Sequence, residues 1–275
     1  MAFRLPKIGG FGAARVTWCN GNAAEDNRPM HIDIASLEQR GFNAWPARST
    51  LLIDGWVCRL NGGFTKRANS VNAAVAGASL AGVRESAEAL YRQHGLPCIF
   101  RLSPLASPEV DQALDQAGYT FFDPSRVARI ALAPAAVPDA VEVMSTATDE
   151  WLDGFATANG VRPLDQATHH TMVRSIALPC GFATLRNQGQ SVGFALAVVE
   201  RGAVGFYDVV VAPAHRGQGH GSVLMSALMA WGKAQDASVG YLQVREQNHG
   251  ARRLYARLGF EDVYRYHYRM PPAWA

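Results

Sequence analysis

Cysteine is scarce and scattered: Cys19, Cys58, Cys98 and Cys180 form no Cys-x-x-Cys pair. That spacing excludes a zinc ribbon and offers no disulfide framework, so the thiols are expected to be reduced, as in a cytoplasmic protein. No stretch reaches the roughly 18 apolar residues of a membrane span, and the N-terminus lacks the apolar run of a signal peptide. The net charge is only +3, which argues against nucleic acid or an anionic membrane as partner. Eight histidines are dispersed without metal-ligand spacing, and no metal is expected.

What is present is a hydrophobic content of 48%, a length suited to two ordinary domains, and one dense motif. Tyr207 to Gly221 reads Tyr-Asp-Val-Val-Val-Ala-Pro-Ala-His-Arg-Gly-Gln-Gly-His-Gly. The three valines predict a buried strand, which Pro213 ends. Gly217, Gly219 and Gly221 let backbone N–H groups converge, and the apolar-periodic segment that follows, with Ser222 near its start, predicts a helix whose first turn adds more. Together with Arg216 these make an anion site suited to phosphate. A dinucleotide fingerprint is excluded because Ser222 stands where its third glycine belongs. A P-loop is excluded because no lysine follows the glycines until Lys233.

The remaining pattern, Val-x-Pro-x-x-Arg-Gly-x-Gly-x-Gly, resembles the pyrophosphate loop of the GNAT superfamily of acyl-CoA-dependent N-acyltransferases. Downstream, Asn248, Ala251, Leu254, Tyr255, Gly259 and Phe260 match that superfamily's Asn-x-x-Ala-x-x-Leu-Tyr-x-x-x-Gly-Phe pattern. The resemblance implies acetyl-CoA as cosubstrate, its pyrophosphate on Arg216, Gly217, Gln218, Gly219, His220, Gly221 and Ser222. Its pantetheine arm is expected along the backbone of Val209, Val210 and Val211, beside Asn248 and Tyr255. A backbone N–H near Val209 or Val210 would polarise the thioester carbonyl. Tyr255 is the candidate general acid and Asp208 the candidate base, with a water chain or Glu246 as alternatives because strand alternation leaves Asp208's direction open. No cysteine falls in either motif, so direct attack in a ternary complex is expected. The expected acceptor is the primary amine of a small molecule; a protein or peptide amine, or a non-catalytic acyl-CoA-binding regulatory module, are the alternatives.

A repeat underlies the chain. Gly118-Tyr119 and Gly259-Phe260 are 141 positions apart, and the same offset superposes strand 69–72, helix 84–93 and strand 100–102 on segments of the second half. The first copy carries Val75 to Leu80 where the second has the arginine and glycines. The fold class expected is therefore α/β (α+β): two GNAT-like domains, each a mixed, mostly antiparallel sheet flanked by helices. Residues 1–30 read as a flexible extension with Met30 a possible start, 31–133 as a degenerate domain, 134–139 as a linker and 140–275 as the catalytic domain. A monomer with an intrachain pseudo-dimer, or a homodimer, fits this layout.

Smaller features complete the picture. Lys66-Arg67 is either an electropositive site or a solvated pair. Tyr119 to Phe122 and Arg126 to Leu132 read as separate strands, and Thr168 to Ile176 as a helix. By resemblance Trp151, Phe155, His169 and His170 are acceptor-pocket candidates; periodicity alone puts the aromatics in the core and the histidines at the surface. Gly77-Ala78-Ser79-Leu80-Ala81 lacks the last glycine of a nucleophile elbow.

Overall fold

A computed structural model describes residues 33–274; the expected N-terminal extension, Met30 and Cys19 lie outside them. The first half runs α1 (Ile34–Ala44), β1 (Ser49–Ile53), β2 (Trp56–Leu60), β3 (Val71–Ala73), α2 (Val83–Gln93), β4 (Phe100–Leu102), α3 (Pro108–Gln116) and β5 (Thr120–Ala131). Asp33 caps α1 by accepting from Ser36 N at 2.7 Å. Asp54 and Gly55 both take left-handed φ values, 41° and 83°, as a two-residue hairpin turn requires. β5 is one strand where two were expected. A bulge opposite Tyr266/Tyr268, with Asp123 at φ 52°, absorbs Pro124 without breaking the ladder.

The second half runs β6 (Val141–Met144), α4 (Asp149–Asn159), α5 (Pro163–Arg174), β7 (Cys180–Asn187), β8 (Gln190–Glu200) and β9 (Ala203–Val211). It continues with α6 (His220–Ala234), β10 (Val239–Arg245), α7 (His249–Arg257) and β11 (Glu261–Met270). α5 begins earlier than the expected Thr168 because Pro163 suits a first helical position, where its missing N–H costs nothing.

All eleven strands form one sheet, ordered β1-β2-β3-β4-β11-β5-β10-β9-β8-β7-β6. The halves exchange their last strands: β11 lies between β4 and β5, and β5 lies between β11 and β10. Each half also contains one parallel pair, β3 with β4 and β9 with β10, bridged by crossover helices α2 and α6. The 141-residue offset carries α3 onto the bounds of α7 and the start of β5 onto that of β11. β11 was not anticipated from sequence, although the same offset run forward from β5 reaches it.

Alternation along β8 assigns the sheet's two faces. Phe194, Leu196 and Val198 pack with α4, α5 and the end of α1, while Ala195, Ala197 and Val199 pack under α6. Gly154 lets α4 lie against β8, since a Cβ there would stand 2.2 Å from the Phe194 ring. A third core, around Trp56, Val71 and Phe100, is covered by α2 and α3. α1 ties the halves together: Arg40 donates to the carbonyls of Glu200 at 3.2 Å and Arg201 at 3.1 Å.

The exchange is fastened by a buried ion pair. Arg101 on β4 grips both oxygens of Glu38 on α1, and Tyr264 on β11 donates to Glu38 Oε1 at 2.5 Å. Burial opposes Arg101's charge, yet Glu38 holds its pKa well above the ordinary value. Glu38→Ala strands that guanidinium and should destabilise the fold by about 3–5 kcal/mol, whereas replacing both partners by Leu and Met should recover most of the loss. Urea unfolding of the two variants checks this.

Candidate active site

Pro213 stops β9, and a 3-10 turn over Pro213–His215 carries the chain into the glycines. Gly217 and Gly219 sit at φ 78° and 85°, a region that side chains strain to enter. Gly219 caps α6, so the helix begins at His220, two residues before the expected Ser222. Ser222 N therefore donates to Gly219 O at 2.9 Å and is not available. The five amides of Gly217, Gln218, Gly219, His220 and Gly221 donate to no backbone oxygen among the described residues. Five unpaired donors at the positive end of a 15-residue helix form an anion cradle. Arg216 Nε donates to Val211 O at 2.9 Å, which folds this side chain over the strand end beside the cradle.

Strands β9 and β10 pair only from Ala203–Val239 to Phe206–Leu242. Beyond that point Tyr207 to Val211 stays with β8, Gln243 to Arg245 stays with β5, and the sheet opens. The opening begins at a bulge in which Asp208, at φ 50°, stands outside the ladder. Ala212 N donates to Val192 O at 2.8 Å, so by alternation Val210 turns its backbone to β8 while Val209 and Val211 turn theirs to the gap. Sequence could not distinguish these three.

A cavity of about 640 Å³ fills the opening. The bulge settles the direction of Asp208: its carboxylate lines this cavity and accepts from His169 Nε2 at 2.8 Å. His169 is not at the surface. Its ring is 1% exposed, stacked on Phe155 with centroids 4.7 Å apart, and Nδ1 has no partner among the described residues. His169, Met172 and Val173 form the buried face of α5, so the helical period holds the signal once histidine is allowed a core position. His170 is half-buried, 3.9 Å from Asp153 and outside the cavity lining. Of the two aromatics, Phe155 lines the cavity, whereas Trp151 is core and donates to Ala183 O at 3.0 Å.

Tyr255 on α7 walls the same cavity and packs against Phe260, and burial pushes its phenol up to about 12. Asn248 caps α7 through Oδ1 from Ala251 N at 3.1 Å, leaving its amide N–H groups for the gap. Glu246 lies elsewhere, held by Arg126 at 3.1 Å and Arg265 at 3.5 Å. The first half supplies the opposite wall with Trp45, Phe64, Lys66, Arg67 and Asp123, and β11 adds Tyr266 and Tyr268. Lys66 is paired with Asp123, and both residues of the basic dipeptide line the cavity, Lys66 with 38% of its side chain still exposed.

The corresponding loop in the first half is closed. Ala78 N donates to Leu105 O at 3.2 Å, Ser107 N to Ala78 O at 2.9 Å, and Trp56 Nε1 to Ser79 O at 2.7 Å. These bonds zip shut the gap that stands open between β9 and β10.

A splayed strand pair with an amide cradle at a helix start is the arrangement of GNAT acetyltransferases, and comparison with known proteins agrees. Residues 32–269 match the family model described as "Probable histone acetyltransferase Rv0428c C-terminal". The chain belongs to that family, and it is an acyltransferase of the GNAT superfamily. It is 28% identical over 253 residues to the "Uncharacterized N-acetyltransferase YobR" of Bacillus subtilis (strain 168), covering 86% of this chain and 98% of that one. Its fold is similar to a GCN5-related N-acetyltransferase from Kribbella flavida, with a TM-score of 0.66, 18% identity and coverage of 87% and 94%. It is also similar to a tandem GNAT protein from the clavulanic acid biosynthesis pathway, with a TM-score of 0.56, 15% identity and coverage of 86% and 87%.

Tyr255 is half-buried at the cavity wall, which makes its titration informative. The phenolate absorbance lost in Tyr255→Phe should be absent from the native spectrum until the pH approaches about 12; a step near the ordinary value of about 10 would mean that the phenol is solvated.

Proposed function

We propose that the protein transfers an acetyl group from acetyl-CoA to the primary amine of a small-molecule acceptor by direct attack in a ternary complex. The observation that carries this reading is the Asp208–His169 pair at the point where β9 and β10 part, with Tyr255 on the same cavity. Acetyl-CoA supplies the activated acyl carbon. The cradle of Gly217 to Gly221, with Arg216 beside it, suits a pyrophosphate, and the gap-facing backbone of Val209 and Val211 suits the amides of a pantetheine arm.

Within that arrangement the chain's residues have separate tasks. His169 donates to Asp208 and fixes the carboxylate, whose other oxygen takes a proton from the acceptor ammonium. The freed amine forms the C–N bond while the C–S bond breaks. Val209 N–H faces the charge that develops on the carbonyl oxygen. Tyr255, held protonated with its phenol above the ordinary value, delivers its proton to the departing sulfur and is reprotonated by the second proton that the nitrogen sheds as the amide forms. Burial pushes the thiols of Cys58 and Cys180 up to about 11, which disfavours a cysteinyl acyl-enzyme. Chemistry thus resides in the second half, and the first half serves as acceptor wall. That wall favours a small acceptor over an extended peptide.

Thiol release from acetyl-CoA across a panel of amines, with a histone-tail peptide included, tests the reading. Tyr255→Phe and Asp208→Asn should each lower kcat by about 10²–10⁴-fold while acetyl-CoA still binds; asparagine is chosen because it tolerates the left-handed bulge. Arg216→Ala should weaken acetyl-CoA binding by about tenfold. Unchanged turnover in the first two variants removes their assigned roles, and turnover of the peptide alone transfers the assignment to protein substrates.

A further inference from the structure

The cavity's charges do not balance. Its walls carry Lys66, Arg67, Arg162 and Arg245 against Asp123, Asp165 and Asp208. Lys66 is paired with Asp123, Arg245 comes within 3.9 Å of that same carboxylate, and Arg162 holds Asp165 at 2.6 Å. Arg67 has no carboxylate partner among the described residues. Its guanidinium carbon lies 4.9 Å from the centre of the Trp45 ring and 5.7 Å from that of Tyr207. A guanidinium held against aromatic rings keeps N–H donors for an anion.

The positive excess continues behind the wall. Arg59 is 2% exposed, and among the described residues its guanidinium donates only to backbone carbonyls, those of Arg67 at 2.6 Å, Phe42 at 3.1 Å and Trp45. Burial, with Arg101 and Arg67 nearby, pushes its pKa down to about 10. Glu38 is held by Arg101 and offers nothing to Arg59 or Arg67.

The segment that bears Arg67 is also built for presentation. Asn69, 4% exposed, accepts from Asn61 N at 2.7 Å and Gly63 N at 3.0 Å, and donates to the carbonyls of Phe64 at 2.7 Å and Thr65 at 2.9 Å. Thr65 is held at φ 56°, a sparsely populated region for a β-branched residue. Arg59 fixes the carbonyl of Arg67 itself.

We propose that the acceptor amine carries an acidic group, a carboxylate or a phosphonate-like oxyanion, bound by Arg67 while its ammonium faces Asp208. Arg67 and His169, which holds Asp208, flank the same Trp45 ring, at 4.9 Å and 6.3 Å. Both recognition ends therefore border one aromatic ring within a single cavity. This substrate class rests on the acetyl-transfer reading above.

Matched acceptors that differ only in the acid test it: amino acids, their carboxamides, and aminoalkyl phosphonates of equal chain length. With the native protein, kcat/KM for thiol release should be about 10- to 100-fold higher for the acid-bearing members, and the better of the two acids identifies the oxyanion. Arg67→Gln should erase that preference through KM, and Arg67→Lys should restore part of it. Equal turnover of acids and carboxamides by the native protein, or equal losses on both in Arg67→Gln, overturns the proposal. Calorimetry without acetyl-CoA separates the two ideas. Tighter binding of acids than of carboxamides supports Arg67's role even where no amine releases thiol, a result that would strike the transfer reading alone. No difference in binding overturns Arg67's role whatever the turnover.

Discussion

The pairing of β5 with β11 is the constraint from which the rest of the structure follows. Each strand closes the chain segment of one half and is inserted beside the other half, so neither half completes its own sheet. Glu38, Arg101 and Tyr264 bind α1, β4 and β11 at one buried point, joining residues far apart in the chain. Because a buried pair is costly to break and nearly neutral to replace whole, its value here is geometric. It sets the first half's face at a fixed height over the open end of β9 and β10. An independent first domain on a linker would offer no such wall.

The second constraint is local. A parallel pair would zip along its length if alternation ran undisturbed, and β3 with β4, extended by the Ala78–Ala106 bridge, does so. In β9 the bulge at Asp208 turns the strand, ends the pairing with β10 and swings a carboxylate into the gap in one step. Unpaired backbone on one edge and an acidic side chain at the vertex are thus two results of one backbone irregularity. In the first half β3 pairs with β2 and β4 without a register shift, and the loop amides are used internally. Val75 to Leu80 stand there in place of an arginine and three glycines, and the gap is closed.

Much of this was legible in sequence where a residue has a single conformational use. Pro213 and the glycines marked the strand end and the cradle, Asp54-Gly55 marked a hairpin, and Asp33 marked a cap. Element order followed from period and from the 141-residue repeat, except that β5 read as two strands and β11 was missed. What was not legible depended on long-range pairing or on backbone irregularity. The Asp208 bulge has no residue signature, since aspartate is not required at a left-handed position. The burial of His169 depends on α5 starting at Pro163 and on the cage of Phe155, Phe64 and Trp45, two of them from the other half. The strand exchange leaves no trace in composition, because β5 and β11 would look the same paired within their own halves.

The first half also shows what replaces apolar packing where a surface must be held in one shape. Asn61, Asn69, Ser70, Asn72 and Arg59 are all buried beneath the Lys66-Arg67 segment. An apolar core in their place would bury a comparable area without the desolvation cost, but it would exert no directional hold on the segment's carbonyls and amides. Asn69 alone contacts four backbone groups between Asn61 and Thr65, and Arg59 contacts the next carbonyls on either side of the cavity wall. Directional bonds of this kind fix side chains to within the tolerance that recognition needs, which dispersion contacts do less well. A half without a cradle of its own therefore carries a rigid polar frame, and that frame lines the cavity where Asp208 and His169 stand.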